Sequence, residues 1–174
     1  MLCAKQELQY NLYTTMDQSR DRRSQRNNEP QDGITEEVLE IKRVSKKTTG
    51  GNSISFTALV AVGDKNGRVG VALGRGLEVP QAIRKAVKYA RKQMITVALH
   101  NDTLPHNIMS KFKASRIILK PAPQGSGLKV GSVVRSILTL SGVKNASGKI
   151  LGSRNKATNA RGVIKALQSL QARA

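Results

Sequence analysis

The chain has 174 residues, 39% of them hydrophobic, and carries 30 Lys and Arg against 11 Asp and Glu, for a formal net charge of +19. This composition excludes a wholly disordered chain, and the length fits one domain or two small ones. No run of about 18 apolar residues marks a membrane span, and the single cysteine, Cys3, excludes an intramolecular disulfide and a cysteine-rich zinc site.

The positive charge is unevenly distributed. Residues 1–33 hold five basic and five acidic side chains, and we interpret them as a polar, mostly disordered leader. Residues 34–174 hold 25 basic and six acidic side chains, and no Asp or Glu follows Asp102. A folded segment without carboxylates repels itself, so this imbalance predicts a nucleic-acid partner. A membrane surface is a poorer partner, because the basic helices lack a bulky apolar face.

The region from Glu36 predicts a three-stranded antiparallel meander. In VLEIKRV, Leu39 and Ile41 alternate with charged residues, which indicates a half-buried strand. After KKTTGG, apolar side chains occupy every second position from Ile54 to Val62. An Asn-Gly turn signal in GDKNG then leads to a third strand over 69–73.

An amphipathic helix is predicted over residues 78–94. Pro80 lies near its start, where the missing N–H costs least, and apolar residues recur at three- and four-residue spacing up to Met94. The opposite face carries five basic residues: Arg84, Lys85, Lys88, Arg91 and Lys92. Like charges at these spacings repel, so we expect this face to meet a polyanion.

The second half of the chain is predicted to contain two strands and two helices. A strand over 95–99 is followed by a polar loop with Pro105 and a strand over 115–123. The helix VVRSILTLS should end at Gly142. A turn-rich stretch, KNASGKILGSRNKATNA, precedes a last helix, whose apolar stripe consists of Ala160, Val163, Ile164, Leu167 and Leu170.

The glycine pair Gly50-Gly51 joins the first two predicted strands. Two interpretations are open: an ordinary flexible hairpin, or a tip that a nucleic-acid backbone approaches closely because no side chain obstructs it. Arg43, Lys46 and Lys47 supply positive charge just before the pair, which favours the second interpretation.

Two other segments suggest chemistry. The loop PAPQGSGLKVGS faintly resembles a kinase phosphate loop, but its spacing matches no standard nucleotide motif, and no carboxylate follows it for magnesium or general base. His100 and His106 flank Asp102 without a third ligand at a recognisable spacing. For the glycine-rich loop we favour a turn that packs a strand against a helix, and for the two histidines a solvated loop. The five aromatic residues do not alternate with basic ones, which favours recognition of double-stranded RNA by backbone and shape.

Several long motifs, in order, resemble the small-subunit ribosomal protein S5 family. They are RVSK…GG…SFTAL, GRVGVALGRGLEVPQAIRKA, GSGLKVGSVVRSILTLSGVKN and K-x-x-GS-x-N-x-x-x-N, and the match runs from about Glu36 to Leu170. The resemblance implies an α+β fold. A double-stranded-RNA-binding-like domain, a three-stranded antiparallel sheet plus a helix, would span 34–95. An α/β sandwich of the type named after the family's second domain would span 96–174.

The same resemblance implies a structural, non-enzymatic role without cofactor or metal. The protein would bind small-subunit rRNA, stabilise the head of the subunit relative to the body, border the mRNA entry path, support translational accuracy and contact ribosomal proteins S4 and S8. The stretch NDTLPHNIMSKFKASRIILKPAPQGSG is similar to plastid and cyanobacterial members. This similarity implies a plastid ribosome, with the bacterial or cyanobacterial cytoplasm as the alternative. Thr49 and Asn52 depart from the family, which usually has basic residues on both sides of the glycine pair.

The residues predicted to bind rRNA are Arg43, Lys46, Lys47, Gly50, Gly51, Asn52, Arg68, Arg75, Arg84, Lys85, Lys88, Arg91, Lys92, Lys111, Lys113, Arg116, Lys149, Arg154, Asn155 and Lys156. Two alternative functions stay open at this point. One is a nucleotide-binding, kinase-like enzyme that uses Gly125 to Gly131, and the other is an RNA chaperone outside the ribosome.

Overall fold

The computed structural model describes residues 33–171, so the predicted leader, apart from its last residue, lies outside the described residues. In chain order the elements are β1 (Thr35–Thr48), β2 (Gly51–Gly63), β3 (Arg68–Gly76), α1 (Val79–Lys92), β4 (Ile95–Thr96), β5 (Ile108–Phe112), β6 (Ser115–Pro121), β7 (Leu128–Lys129), α2 (Ser132–Ser141), β8 (Ala146–Leu151) and α3 (Lys156–Gln168). None of the described helices is long and apolar enough to cross a membrane.

The first sheet has the order β1-β2-β3-β4 and is antiparallel throughout. The predicted meander and the following helix are therefore confirmed, and the sheet gains a fourth strand. This strand, β4, is shorter than the predicted strand over 95–99. It pairs with β3 only at Arg68 and Val69.

Strand β1 is more exposed than its sequence pattern predicts. Leu39 is half-buried, but Ile41 is 45% exposed, so the expected burial of Ile41 is wrong. A bulge between Val38 and Glu40 interrupts the pairing with β2, and β1 is an edge strand that α1 barely covers. Beyond Phe56, which pairs with both Arg43 and Gly76, the β1–β2 hairpin extends past the end of β3 as a two-stranded arm (residues 44–55).

Both faces of the first sheet are buried at its centre. Ala58, Val60 and Val62 pack with α1, as the alternation predicts. Leu59 and Ala61, on the other face, belong to the core built by the second half of the chain. The uninterrupted apolar run from Ala58 to Val62 is typical of a strand buried on both faces. A prediction based on alternation alone missed this second contact.

Helix α1 lies unusually close to β3 because small residues meet at their contact. The helix buries Ala82, Ala86 and Ala90. A Cβ atom built on Gly74 would overlap the carbonyl oxygen of Ala82, and one built on Gly70 would overlap that of Ala90. The backbone of α1 therefore packs directly on the glycine backbone of β3. This contact fixes the orientation of the outer face of α1.

The second sheet has the order β5-β6-β8-β7, in which only β7 and β8 are parallel. Helices α2 and α3 contribute to the core beneath it. Two predictions are corrected here: the polar loop with Pro105 contains β5, and the turn-rich stretch contains β8. In their sequences, IMSKF and ASGKIL, the large apolar residues Met109 and Leu151 are exposed while the small Ser110 and Ala146 are buried, so the alternation that marks a strand is weak. The predicted end of α2 is confirmed, since Gly142 is left-handed with φ 92°.

Backbone hydrogen bonds join the two halves of the described chain. The N–H groups of Lys65 and Gly67, in the turn between β2 and β3, donate to the carbonyls of Leu140 and Ser141 at 2.9 and 3.0 Å. These carbonyls end α2 and would otherwise lack intrahelical partners. The α+β class is confirmed, whereas the division at residues 95 and 96 stays a prediction.

Replacing Gly74 by alanine should destabilise the fold, because the added methyl group overlaps the backbone of α1. We expect a loss of about 1–3 kcal/mol in the free energy of unfolding, the usual cost of overpacking, measured by urea denaturation. Gly50→Ala is the matched control, since a Cβ at Gly50 meets open space, and its change should stay within about 0.5 kcal/mol. Equal stabilities for the two variants would contradict this packing account.

Candidate nucleic-acid interface

The twenty predicted rRNA-binding residues all reach the surface. Every one is exposed except Lys156, which is half-buried. The structure places most of them in four groups: the hairpin arm, the outer face of α1, the uncovered face of the second sheet, and the start of α3. Arg68, at the start of β3, and Lys113, in the turn between β5 and β6, lie apart from these groups.

The hairpin arm carries cations on both of its faces. Arg43, at the base of the arm, is opposite Phe56, which packs on the α1 side of the sheet. Lys47, four residues further along β1, lies on the same face of the strand as Arg43. Lys46 lies on the other face. Arg75, near the base of the arm, is partly engaged, because its Nε donates to Ser55 Oγ at 3.0 Å. A polyanion could therefore contact the arm from either side.

The two glycines at the end of the arm differ in role. Strand pairing continues to Thr48 and Gly51, so Thr49 and Gly50 form the turn and Gly51 begins β2. Gly51 has φ 131°, a conformation that other residues rarely adopt, while no such φ is found at Gly50. A Cβ on either glycine would meet no atom within 4 Å. Packing inside the protein therefore does not require glycine at these two positions.

The outer face of α1 presents the five predicted cations to solvent. Arg84, Lys85, Lys88 and Lys92 have no carboxylate partner among the described residues, whereas Arg91 donates to Glu36 at 3.0 Å. This exposed pair contributes little to stability. It does place β1 and the end of α1 side by side.

Sequence reasoning missed the extent of the third group. Helices α2 and α3 cover one face of the second sheet, and the strand register puts Lys111, Arg116 and Lys149 together on the other. Lys120 and Lys129, which were not among the predicted rRNA-binding residues, both pair with Ser147 in the sheet register. They therefore lie on the same face. All five are exposed. We call this surface, with Met109 and Leu151, the outer face of the second sheet.

The motif K-x-x-GS-x-N-x-x-x-N, which ends the chain's resemblance to the family, builds the start of α3. Asn155 is the N-cap, and its side chain accepts a hydrogen bond from the N–H of Ala157 at 3.1 Å. Asn159, which is buried, donates to the carbonyl of Ser153 at 3.1 Å. The side chain of Asn155 thus stabilises the helix, while Arg154 is exposed and Lys156 reaches Glu40 at 3.9 Å.

The alternative chemical sites gain no support from the geometry. Gly125 and Gly127 have φ values of 83° and 66° and line an open loop. The nearby cleft, of about 750 Å³, is lined by Lys65, Arg135 and Lys144 among others, and no carboxylate of the part of the chain that the structure describes lines it. Asp102 pairs with Lys144 at 3.1 Å rather than with a histidine. No group of three or more potential metal ligands occurs among the described residues.

Comparison with known proteins gives consistent matches over the described region. Residues 34–98 match the family model of the ribosomal protein S5 N-terminal domain, and residues 110–174 match that of the ribosomal protein S5 C-terminal domain. The chain is 46% identical over 154 residues to the small ribosomal subunit protein uS5 of Mycoplasmopsis agalactiae, covering 88% of this chain and 65% of that relative.

Two further relatives are similar. The chain is 44% identical over 135 residues to the uS5 protein of Thermotoga neapolitana, covering 78% of this chain and 76% of the relative. It is 46% identical over 136 residues to that of Fusobacterium nucleatum, covering 78% and 83%. The chain thus spans just under two thirds of the length of the Mycoplasmopsis relative and more of the other two.

Removing charge from the outer face of the second sheet should weaken RNA binding. In the triple variant Lys111→Ala, Arg116→Ala and Lys149→Ala, the slope of log K against log [salt] should flatten by roughly one for each phosphate that the protein no longer neutralises. Filter binding of a small-subunit rRNA fragment across a NaCl series measures this slope. The control is Lys144→Ala, because Lys144 already pairs with Asp102. An unchanged slope in the triple variant would show that this face does not meet RNA.

Proposed function

The chain belongs to the ribosomal protein S5 family, and we propose that its four cationic groups bind small-subunit rRNA while the core shared by its two halves holds them in fixed positions. The S5 family consists of structural ribosomal proteins rather than enzymes, so the kinase-like alternative is set aside. Nothing in the comparisons favours an RNA chaperone outside the ribosome.

One observation carries this proposal. The described residues contain 24 Lys and Arg against six Asp and Glu, and only four ion pairs form among them. Twenty of these cations therefore lack a carboxylate partner within residues 33–171. An rRNA backbone supplies anions at the density needed to neutralise them, and each neutralised phosphate also releases counterions.

The finer parts of the function come from the resemblance and stay proposals. The exposed arm is suited to reach beyond the body of the protein, and we assign to it the contacts that stabilise the head of the subunit and support translational accuracy. Ribosomal proteins S4 and S8, and mRNA at its entry path, are the further predicted partners. The arm has Thr49 and Asn52 beside its glycines, so the positive charge near the tip comes from Lys46 and Lys47.

The location is a ribosome of bacterial type. The relatives described above come from bacteria, which fits the alternative of a bacterial cytoplasm. The plastid ribosome stays our prediction on the strength of residues 101–127. Immunoblotting of purified organelles and cytosol from the source cells distinguishes these locations.

Sedimentation tests the ribosomal role directly. An epitope-tagged copy of the full chain, expressed in a bacterium, should co-migrate with small subunits in a sucrose gradient and stay with them in moderate salt. The deletion of residues 44–55, which removes the arm beyond the end of β3, separates arm contacts from body contacts in the same gradient. Recovery of the intact chain only at the top of the gradient, although folded by circular dichroism, would contradict the proposal.

A β-branched residue at Gly51 should disturb the tip of the arm. Gly51→Val places a bulky side chain at φ 131°, and such strain typically costs about 1–3 kcal/mol. We expect weaker incorporation into small subunits and more stop-codon readthrough in a reporter assay. Gly50→Val is the comparison, because its backbone lies outside that range. Normal incorporation and readthrough for Gly51→Val would show that the tip is passive.

A further inference from the structure

We propose that the outer edge of β3 binds an extended, acidic segment of another protein, which adds a strand to the first sheet. This inference goes beyond rRNA binding, since none of the twenty predicted rRNA-binding residues lines the cleft beside this edge.

The first observation is an incomplete edge. Strand β4 pairs with β3 only at Arg68 and Val69, so the edge from Gly70 to Gly76 has no strand partner among the described residues. An unpaired edge presents alternating N–H and C=O groups that a passing extended chain can pair with. We call residues 70–76 the open edge.

The second observation is a cleft alongside the open edge. Its volume is about 1110 Å³, and β3 contributes Val71, Ala72 and Leu73 to its floor. Tyr89 of α1 lines the cleft together with Gln93 and Met94, which follow the end of that helix. Phe112 and part of α3 also line it. A natural strand of four or five residues, each rising about 3.3 Å, would fit such a space.

The two sides of an added strand would meet different surroundings. Val71 and Leu73 are opposite Ala61 and Leu59, on the face that packs against the second half of the chain. Ala72 is opposite Val60, on the α1 face. Alternate side chains of the bound segment would therefore point toward the α1 side and toward the α3 side in turn.

The third observation is the charge of the lining. Arg161 and Lys165 line the cleft from α3 and both are exposed, and none of the described carboxylates lines it. They are four residues apart, which is about 6 Å along the helix. Side chains on the same side of a strand repeat at about 6.7 Å. Two acidic residues at positions i and i+2 of a bound segment match this spacing.

These observations favour a polypeptide over RNA at this cleft. Most of the lining is apolar, including Leu59, Val71, Leu73, Ile95 and Ile164, and only two cations contribute. An RNA strand carries a phosphate on every nucleotide and would leave most of them without a cation here. A segment with apolar residues toward Tyr89 and Met94 and acids toward Arg161 and Lys165 satisfies the backbone edge and both sides of the cleft together.

The test uses the full chain and a defined probe, the fluorescein-labelled peptide SVEVEVS with a blocked carboxyl terminus. We expect a saturable rise in anisotropy and slower amide hydrogen exchange in residues 70–76. The peptide SVEPEVS should bind at least about tenfold more weakly, because its proline removes a donor from the added strand. No saturable binding, equal binding of the proline peptide, or slower exchange only elsewhere would overturn the proposal.

Charge reversal supplies a second, independent readout. The double variant Arg161→Glu and Lys165→Glu should lose about fivefold or more in affinity for SVEVEVS, because both positions would repel its glutamates. The same variant should gain affinity for SVKVKVS, because both positions would attract its lysines. Circular dichroism checks that the variant is folded. The control is the double variant Lys120→Glu and Lys129→Glu on the outer face of the second sheet, which should leave peptide affinity unchanged.

An RNA partner at the cleft gives a different pattern. Suppose that hexauridine binds the full chain, that the double variant Arg161→Glu and Lys165→Glu weakens hexauridine binding, and that SVEVEVS does not bind. The cleft would then be an RNA site, and the proposal would be wrong. If hexauridine failed to compete with bound SVEVEVS, the cleft would be specific for polypeptide, as we propose.

Discussion

The imbalance between cations and carboxylates is the constraint on which the rest of this structure depends. Twenty of the 24 described Lys and Arg have no carboxylate partner among the described residues, and the exposed ion pairs that do form contribute little to stability. The cations are spread over an arm, a helix face, a sheet face and a helix start, so no single concave site collects them. This distribution suits a long, folded polyanion rather than a small phosphate ligand.

The core gives these dispersed charges a fixed geometry. The first sheet is packed on both faces, with α1 on one and the core of the second half on the other. The turn between β2 and β3 satisfies the last carbonyls of α2. Glycines on β3 let α1 approach its backbone, so the helix face that carries the cations cannot shift without disturbing the sheet. Buried contacts thus offset the repulsion that the surface charges create.

Sequence patterns predicted the strands and helices that have one apolar face or a clear capping residue at their end. The alternation in β2, the spacing in α1 and the glycine after α2 each have a local cause, and each prediction is confirmed. Strands β5 and β8 were missed because the covered side of their sheet is completed by distant segments. Small residues (Ser110, Ala146 and Gly148) lie on that covered side, and Met109 and Leu151 are exposed, so apolar alternation is weak. Lys120 and Lys129 were missed for the same reason: only the strand register puts them beside Lys111, Arg116 and Lys149.

The salt dependence of rRNA binding tests the central claim most directly. For the full chain and a small-subunit rRNA fragment that includes its binding region, log K should fall with log [NaCl] with a slope of about −5 or steeper, which corresponds to roughly six or more neutralised phosphates. A slope near zero, or a folded and monodisperse protein that ignores this RNA at low ionic strength, would contradict the account.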